Sequence, residues 1–558
     1  MKTVARALGR VLPFACMAAL CSVALWQGVR ATRGIDWPDP FQYDPLRDIG
    51  IAQSMLDGRY PEDHLYLNEI QWYNPGVAAM AAAGSWLTGS PPHVVDARLG
   101  AYANILVPVG FFFLAARLFD PWVSVAGLTF FLFAKAPLTP AWMAATYSPW
   151  LLATNFAQFP LYVALLLYWA GRTRNRRAWF VGAGVFLGIT FLYHTGAAVL
   201  FGGVVVLMLL GDLWQNRRAG AEAVRWDRLV IPAILLLTVA FVVSLPYTGP
   251  ILWRYQFRIL NEWPTYYYDP SLSLARLPGL LRQRLTVPVL LGIVGLAALV
   301  RAQHKRPERR LLLCWLVIAA GFLLYSYVWQ GFEKAGVYLP QIVPSFHFLL
   351  LLSALWSLLS GYGVGVVAGA VAGFAYRGWL AATHVPKNER PATHTPPWAR
   401  GVAVFLGAAA AFCAYYPAYG TWPMFTRTMD RQAYAAHYAD RAPAYDWIIE
   451  STRPADVFLC REKEAVAIVG PAGRKVVCTM LFYANLYVNF QQRHGDRDAL
   501  FEALHTKEQD TFRGLARKYQ VAYLLVAGDD IALVERAGFD CVTPAWRCGE
   551  TAIYRVCS

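Results

Sequence analysis

The chain has 558 residues, 57% of them hydrophobic and 15% charged, with a mean hydropathy of +0.36. A soluble globular protein carries roughly 25% charged residues, so this composition excludes an ordinary soluble protein and makes lipid the main solvent. The net charge of +15 does not signal nucleic acid. Its basic residues cluster in short gaps between apolar runs: Arg172, Arg174, Arg176 and Arg177; Arg217, Arg218, Arg225 and Arg228; Arg301, Lys305, Arg306, Arg309 and Arg310. That is the positive-inside signature of cytoplasmic loops, and no nucleic-acid partner is expected.

Inside lipid, backbone polar groups are satisfied only by helices or closed barrels. The runs here are continuous and rich in Leu, Val and Ala, without strand-like alternation, so helices are expected. The predicted fold class is a polytopic α-helical membrane protein of about eleven spans with a C-terminal soluble α/β domain. Residues 1–420 would form the membrane module and 421–558 the soluble domain.

Lys2, Arg6 and Arg10 precede the first apolar stretch, residues 11–29. No small-x-small cleavage site follows at a convincing position, so a retained anchor with a cytoplasmic N-terminus is expected. Residues 30–98 then form a first outer loop, acidic and aromatic. Within it, Asp48 to Leu56 has helical periodicity and stops at Gly58. Residues 76–88 are apolar but too short to span, which predicts a helix lying at the interface.

Further spans are expected at 100–118, 121–136, 150–170, 178–193, 196–213, 229–248, 286–300, 311–328, 342–376 and 401–419. The stretch 342–376 fits one crossing, or two joined at Ser360-Gly361. One crossing keeps every Arg-rich gap inside, including Arg377 to Arg400, and puts the C-terminus outside. From Thr421 the chain turns soluble. Apolar runs at Val457–Cys460, Lys475–Cys478 and Val521–Ala527 alternate with helical stretches at Asp498–His505, Gln509–Tyr519 and Asp530–Ala537. That alternation predicts a small open α/β sheet, with Thr551–Val556 as an edge strand. Cys460, Cys478, Cys541, Cys548 and Cys557 fit an oxidising compartment, with Cys541–Cys548 or Cys460–Cys478 as expected disulfides.

The first outer loop runs Asp44-Pro-Leu-Arg47-Asp48-Ile-Gly-Ile-Ala-Gln53, then Gly58-Arg-Tyr60-Pro61-Glu-Asp63, then Glu69-Ile-Gln-Trp72-Tyr73-Asn-Pro75. Tyr193-His194 closes one span, Phe346-His347-Phe348 lies in another, and Tyr445-Asp446-Trp447-Ile448 opens the soluble domain. With the layout of acidic loop, bundle and outer domain, these motifs resemble the GT-C superfamily of membrane glycosyltransferases. The resemblance implies an enzyme of a bacterial-type inner (cell) membrane, working at its outer face. It would move a sugar from a polyprenyl-phosphate donor to a lipid, glycan or protein acceptor, inverting the anomeric carbon. Some relatives hold a divalent metal with acids of the first and second outer loops. Residues 136–150, the second loop here, contain no Asp or Glu, a departure that leaves a divalent metal unsupported, and no other cofactor is expected.

Such a transfer needs a base for the acceptor hydroxyl, cations or donors for the departing phosphate, and exclusion of water. A carboxylate at the membrane boundary suits the base, because partial desolvation raises its pKa. Asp44 and Asp48 are the candidates. The alternative for Asp44 is a helix N-cap ahead of Pro45, and for Asp48 a surface charge paired with Arg47 or a loop residue. Glu69 is a candidate second acid. Arg254, Arg258 and Lys334 lie in outer loops, where arginine is disfavoured unless it binds an anion; Arg276, Arg282 and Arg284 belong to the same region. His194 and His347, near outer ends of spans, are candidates for substrate binding, against the blander role of structural hydrogen-bonders. The aromatic run from Trp263 to Tyr268 reads as an interfacial belt. Two rival classes remain: a transporter or lipid flippase, whose cavity would lie at mid-membrane, and a non-catalytic scaffold.

Overall fold

The apolar runs fold as helices, seen in a computed structural model. The structure describes residues 2–40, 42–134, 145–218, 226, 228–261, 273–283, 286–302, 306–337, 339, 343–344, 346–382 and 397–557. Helices α1 (Lys2–Thr32), α2 (Asp44–Leu56), α3 (Gly76–Thr88), α4 (Pro92–Ala103), α5 (Leu106–Leu118) and α6 (Pro121–Phe133) come first. Then follow α7 (Gln158–Arg174), α8 (Arg177–Tyr193), α9 (Thr195–Arg218), α10 (Val230–Tyr255), α11 (Val287–Arg301), α12 (Arg306–Lys334), α13 (His347–Ala382) and α14 (Pro397–Tyr419). Seven described stretches are long and apolar enough to cross a membrane: α1, α4 with α5, α9, α10, α12, α13 and α14. The chain is a multi-pass membrane protein. The expected count of about eleven is not reached by length, because α6, α7, α8 and α11 have 13, 17, 17 and 15 residues.

Helix α13 is one unbroken element of 36 residues, which selects the single-crossing alternative for 342–376. Ser360-Gly361 is not a joint but a packing notch. A side chain on Gly361 would strike the backbone of α6 at Gly127, and one on Gly363 would strike Leu291 of α11. Small residues let helix backbones approach closely where lipid supplies no hydrophobic drive. Helix α3 has the expected 13-residue length; its Ala78 and Ala81 pack on Ile51 and Ala52 of α2, while Trp86 and Leu87 stay exposed.

The basic helix ends meet one another. Arg172 of α7 and Arg310 of α12 both pair with Asp212 of α9, and Arg400 of α14 pairs with Asp120 at the start of α6. The opposite ends of the same helices carry the first outer loop and the C-terminal region. There Asn74 Nδ2 donates to Phe191 O near the end of α8, Thr195 Oγ1 of α9 donates to Asn74 Oδ1, and Tyr255 OH of α10 donates to Glu69.

The C-terminal region holds a five-stranded sheet of β1 (Val457–Leu459), β2 (Lys475–Val476), β3 (Val521–Ala527), β4 (Val542–Cys548) and β5 (Thr551–Val556), in the order β2-β1-β3-β5-β4. The first three are parallel and the last two antiparallel. Thr551–Val556 is therefore an inner strand. The edge is β4, whose exposed Thr543, Pro544 and Ala545 hid it from the hydrophobic pattern; proline is tolerated on an edge. One face of the sheet is covered by helices α16 (Phe490–Thr506), α17 (Gln509–Tyr519) and α18 (Asp529–Ala537), through Leu500, Phe512 and Ile531. The other face packs on α15 (Arg441–Ser451) and on Trp37, Leu46, Ile49 and Leu65 of the first outer loop. Gly50 lies so close to Gly470 that any side chain there would collide with its carbonyl.

All nine cysteines are free, so neither expected disulfide is present. Cys541 and Cys548 stand at opposite ends of the extended strand β4, which at about 3.3 Å per residue separates them far beyond bridging range. Cys460 and Cys478 follow the paired strands β1 and β2, both buried and both thiols.

Candidate active site

Helix α2 begins one residue earlier than a capping role for Asp44 requires. Its N-cap is Tyr43, which makes no side-chain cap, and Asp44 is the first helical residue, followed by Pro45. Asp44 thus has no backbone N–H groups to satisfy and its side chain remains 58% exposed. Arg47, one turn on, donates from Nη1 to Asp44 Oδ1 and from Nε to Asp48 Oδ1, each at 3.0 Å. Tyr483 OH, from the C-terminal region, donates to Asp44 Oδ1 at 3.4 Å.

Asp48 is 1% exposed, so the surface-charge alternative is wrong although its Arg47 partner was foreseen. Burial pushes its carboxyl up to about 6 despite the attraction of Arg47 beside it. Arg47 itself is buried, its guanidinium 3.3 Å above the centre of the Tyr73 ring and 5.9 Å from that of Tyr483. Its Nη2 is a buried donor without a hydrogen-bond partner. The two carboxylates differ in role through environment: Asp44 reaches outward, and Asp48 locks the cation that holds it.

His194 and His347, far apart in sequence, come together with ring centroids 4.5 Å apart. His194 follows α8 and its Nδ1 accepts the Gly196 N–H at 3.2 Å, which leaves the proton of a neutral ring on Nε2. His347 opens α13 and its Nδ1 donates to Pro344 O at 2.9 Å, which makes its Nε2 the acceptor. The Asp44 carboxylate acts electrostatically on the His347 ring, and the Arg47 guanidinium on His194. Among the described residues, no three His, Cys, Asp or Glu side chains converge to hold a metal ion. Most of the second outer loop, residues 135–144, lies outside the described residues, as do Arg284 and the run Trp263 to Tyr268.

The remaining candidates are more peripheral. Glu69 Oε2 accepts from Tyr255 OH at 2.7 Å, and that hydroxyl also accepts the Ile70 N–H at 2.8 Å. Arg254 and Arg258 flank Tyr255 and are exposed, as is Lys334 in the last turn of α12. No described contact brings these three cations to Asp44. Sequence reasoning missed Arg47 as a site residue although the i, i+3 spacing from Asp44 was visible, and it had no signal for Tyr483, whose position depends on the C-terminal fold.

No protein-family model matches the sequence, and no curated protein matches it. Solved structures do. ArnT from Cupriavidus metallidurans in the apo state superposes with a TM-score of 0.56 at 15% identity, over 96% of this chain and 97% of that one. The same protein bound to undecaprenyl phosphate gives 0.55 at 16% identity, over 98% and 97%. The archaeal oligosaccharyltransferase AglB from Archaeoglobus fulgidus, in complex with an inhibitory peptide and a dolichol-phosphate, gives 0.51 at 13% identity, over 96% and 74%. At these identities the likeness is one of fold alone, a fold shared with ArnT and AglB.

Proposed function

We propose that this chain is a membrane glycosyltransferase that moves a hexosyl or pentosyl group from a polyprenyl-phosphate carrier to a lipid, glycan or protein acceptor. The observation that carries the reading is the exposed Asp44 carboxylate, held by Arg47 and Tyr483 at the helix end where bundle and C-terminal region meet. The shared fold, with one solved structure holding undecaprenyl phosphate and another a dolichol-phosphate, supports the carrier.

In the reaction Asp44 accepts the proton of the acceptor hydroxyl, whose oxygen attacks the anomeric carbon from the side opposite the phosphate. The carbon–phosphate oxygen bond breaks, its electron pair leaves with the phosphate, and configuration inverts. Arg47 fixes the direction of the carboxylate, and Asp48 fixes Arg47. Protonated imidazole is not needed: the neutral His194 and His347 rings lie together, and His194 carries an Nε2–H suited to a sugar hydroxyl. Arg254, Arg258 and Lys334 are cations for the carrier phosphate, and Glu69 is a binding acid on the acceptor side.

Orientation belongs to the same reading. The basic helix ends lie together away from Asp44, which supports a cytoplasmic position for them and an outer position for the site and for residues 421–558. Comparative analysis of glycolipids and polysaccharides after deletion of the protein tests the function, because the missing sugar names the reaction. Unchanged glycan and lipid profiles, with no transfer by purified protein from polyprenyl-phosphate sugars, would refute it. Alkaline phosphatase fused after Ser558 tests orientation; a well-expressed but inactive fusion would overturn it.

A further inference from the structure

A cavity lies at the other end of the bundle from Asp44. It has a volume of about 350 Å³ and is walled by the C-terminal turns of α7, the second half of α9 and the start of α12. Tyr168, Trp169 and Arg172 line it from α7, Gln215 from α9, and Arg309 and Arg310 from α12. It is remote from Asp44. Helix α9 begins at Thr195, bonded to Asn74 beside the first site, and reaches Gln215 about 30 Å further on at 1.5 Å per residue, the thickness of a bilayer core.

Charge in this cavity is unbalanced. Asp212, its side chain 9% exposed, clamps Arg172 and Arg310 from opposite walls, the latter at 2.6 Å. Arg310 also bonds the Met208 carbonyl at 3.3 Å, and Arg309 donates to the Val300 carbonyl at 2.8 Å. Three guanidiniums therefore line the cavity, two of them paired with Asp212, and the neighbouring carboxylate on α12, Glu308, is buried. A merely cytoplasmic arginine would extend into water; these are held inward around a void. Trp169 adds an aromatic wall, stiffened by Arg117 lying 4.1 Å from its ring centre. Planar, pre-aimed guanidinium donors suit a phosphate oxygen pair, and a tryptophan at headgroup level suits the glycerol backbone above acyl chains.

We infer that this cavity binds the phosphate-bearing headgroup of an anionic glycerophospholipid, at the end of the bundle away from Asp44. The ligand chemistry is a phosphate diester, and binding there would tie together α7, α9 and α12, of which α9 begins beside the first site. The inference does not rest on the glycosyltransferase reading.

Delipidated full-length protein in a neutral detergent is titrated with phosphatidylglycerol, phosphatidylcholine or inorganic phosphate, with native mass spectrometry for bound lipid and thermal unfolding for stability. Phosphatidylglycerol should bind at least tenfold more tightly than phosphatidylcholine and raise Tm. Arg309→Gln, which leaves the Asp212 clamp intact, should lower that preference roughly fivefold, the loss expected for one basic residue near an anionic surface. Arg309→Lys should restore most of it, which separates charge recognition from damage to the fold. Equal binding of the two lipids, or an Arg309→Gln protein with the wild-type preference, would overturn the inference. A Tm rise with inorganic phosphate that matches the lipid effect would overturn the lipid assignment in favour of a soluble phosphate ligand.

Discussion

Asp48 and Arg47 form an ion pair 3.0 Å long with both side chains buried, and the exposed Asp44 hangs from the other nitrogen arm of the same guanidinium. Three groups on one helical turn therefore act as a unit. The outward carboxylate is aimed by a cation that cannot move while Asp48 remains ionised. Since burial lifts the Asp48 carboxyl to about 6, mild acid should loosen the unit.

The first prediction follows from that pair. Transfer activity should fall as pH drops through about 6, when Asp48 takes up a proton and releases Arg47. Asp48→Asn removes the titrating group, so its activity should be lower by about tenfold and should lack that acid limb, on the scale of losing one buried charge-assisted hydrogen bond. The pH profile of kcat for both proteins is the measurement. An unchanged acid limb in Asp48→Asn would assign it to another residue.

The second prediction concerns His64, buried beneath α2 with its Nδ1 3.0 Å from Gln71 Oε1. Burial holds its ring down to about 3, well below the ordinary 6.5. The folded protein thus refuses a proton that the unfolded chain accepts, so this stability is present above pH 6.5 and is lost as pH falls towards 3. Each unit of pH in that window costs about 1.4 kcal/mol. Thermal unfolding of solubilised protein between pH 7 and 5 should show this slope, and His64→Gln should flatten it. Parallel slopes would show that His64 does not drive acid sensitivity.

How far the fold was legible follows from the kind of signal each element leaves. Apolar runs and their basic flanks located α9, α10, α12 and α13 with ends displaced by up to seven residues, because lipid imposes one simple rule on composition. Helix α17 matched Gln509–Tyr519 to the residue, with its apolar face packing Phe512 and Ala516 under the sheet. Strand β4 was invisible, since its exposed residues are not selected by burial. Within the site, Asp44 and Asp48 stood out as carboxylates near a span. Their division into outward and buried members depends on which face of α2 meets the C-terminal sheet, and that is a tertiary fact. The approach of His194 to His347 is likewise set by helix packing, which no spacing in sequence encodes.

The cysteines give the third prediction. Val542 faces Val556 across β4 and β5, and Cys557 N donates to Cys541 O at 2.8 Å, so Cys541 and Cys557 are cross-strand partners. Opposed residues of antiparallel strands have Cα atoms about 4.5–5.5 Å apart, inside the range a disulfide accepts. On the proposed outer position of residues 421–558, a thiol–disulfide oxidant would take the two hydrogens and leave a Cys541–Cys557 bond. Mass spectrometry of unreduced peptides from membrane-isolated protein should find the pair joined. Both thiols open to alkylation without a reductant would contradict it.

The last prediction is that Asp44 supplies the base. Its carboxylate is the exposed member of the unit, it has no capping duty because Tyr43 occupies the N-cap, and Pro45 restricts the backbone that carries it. Asp44→Asn keeps the shape and still accepts hydrogen bonds from Arg47 and Tyr483, but it cannot take a proton. Turnover should therefore fall by about 10²–10⁴-fold, the usual worth of a general base. Stability should change little, because Asp44 faces solvent, the amide oxygen of asparagine still accepts from Arg47, and Asp48 still neutralises the buried guanidinium. Binding of polyprenyl phosphate should persist, which separates loss of chemistry from loss of the site. Tyr483→Phe removes one of the two donors to Asp44 and should give a smaller loss, without the change in pH profile that removing the base produces. If Asp44→Asn turns over near the wild-type rate while Asp48→Asn is inactive, the buried carboxylate rather than the exposed one takes the proton, and the roles assigned along α2 are reversed.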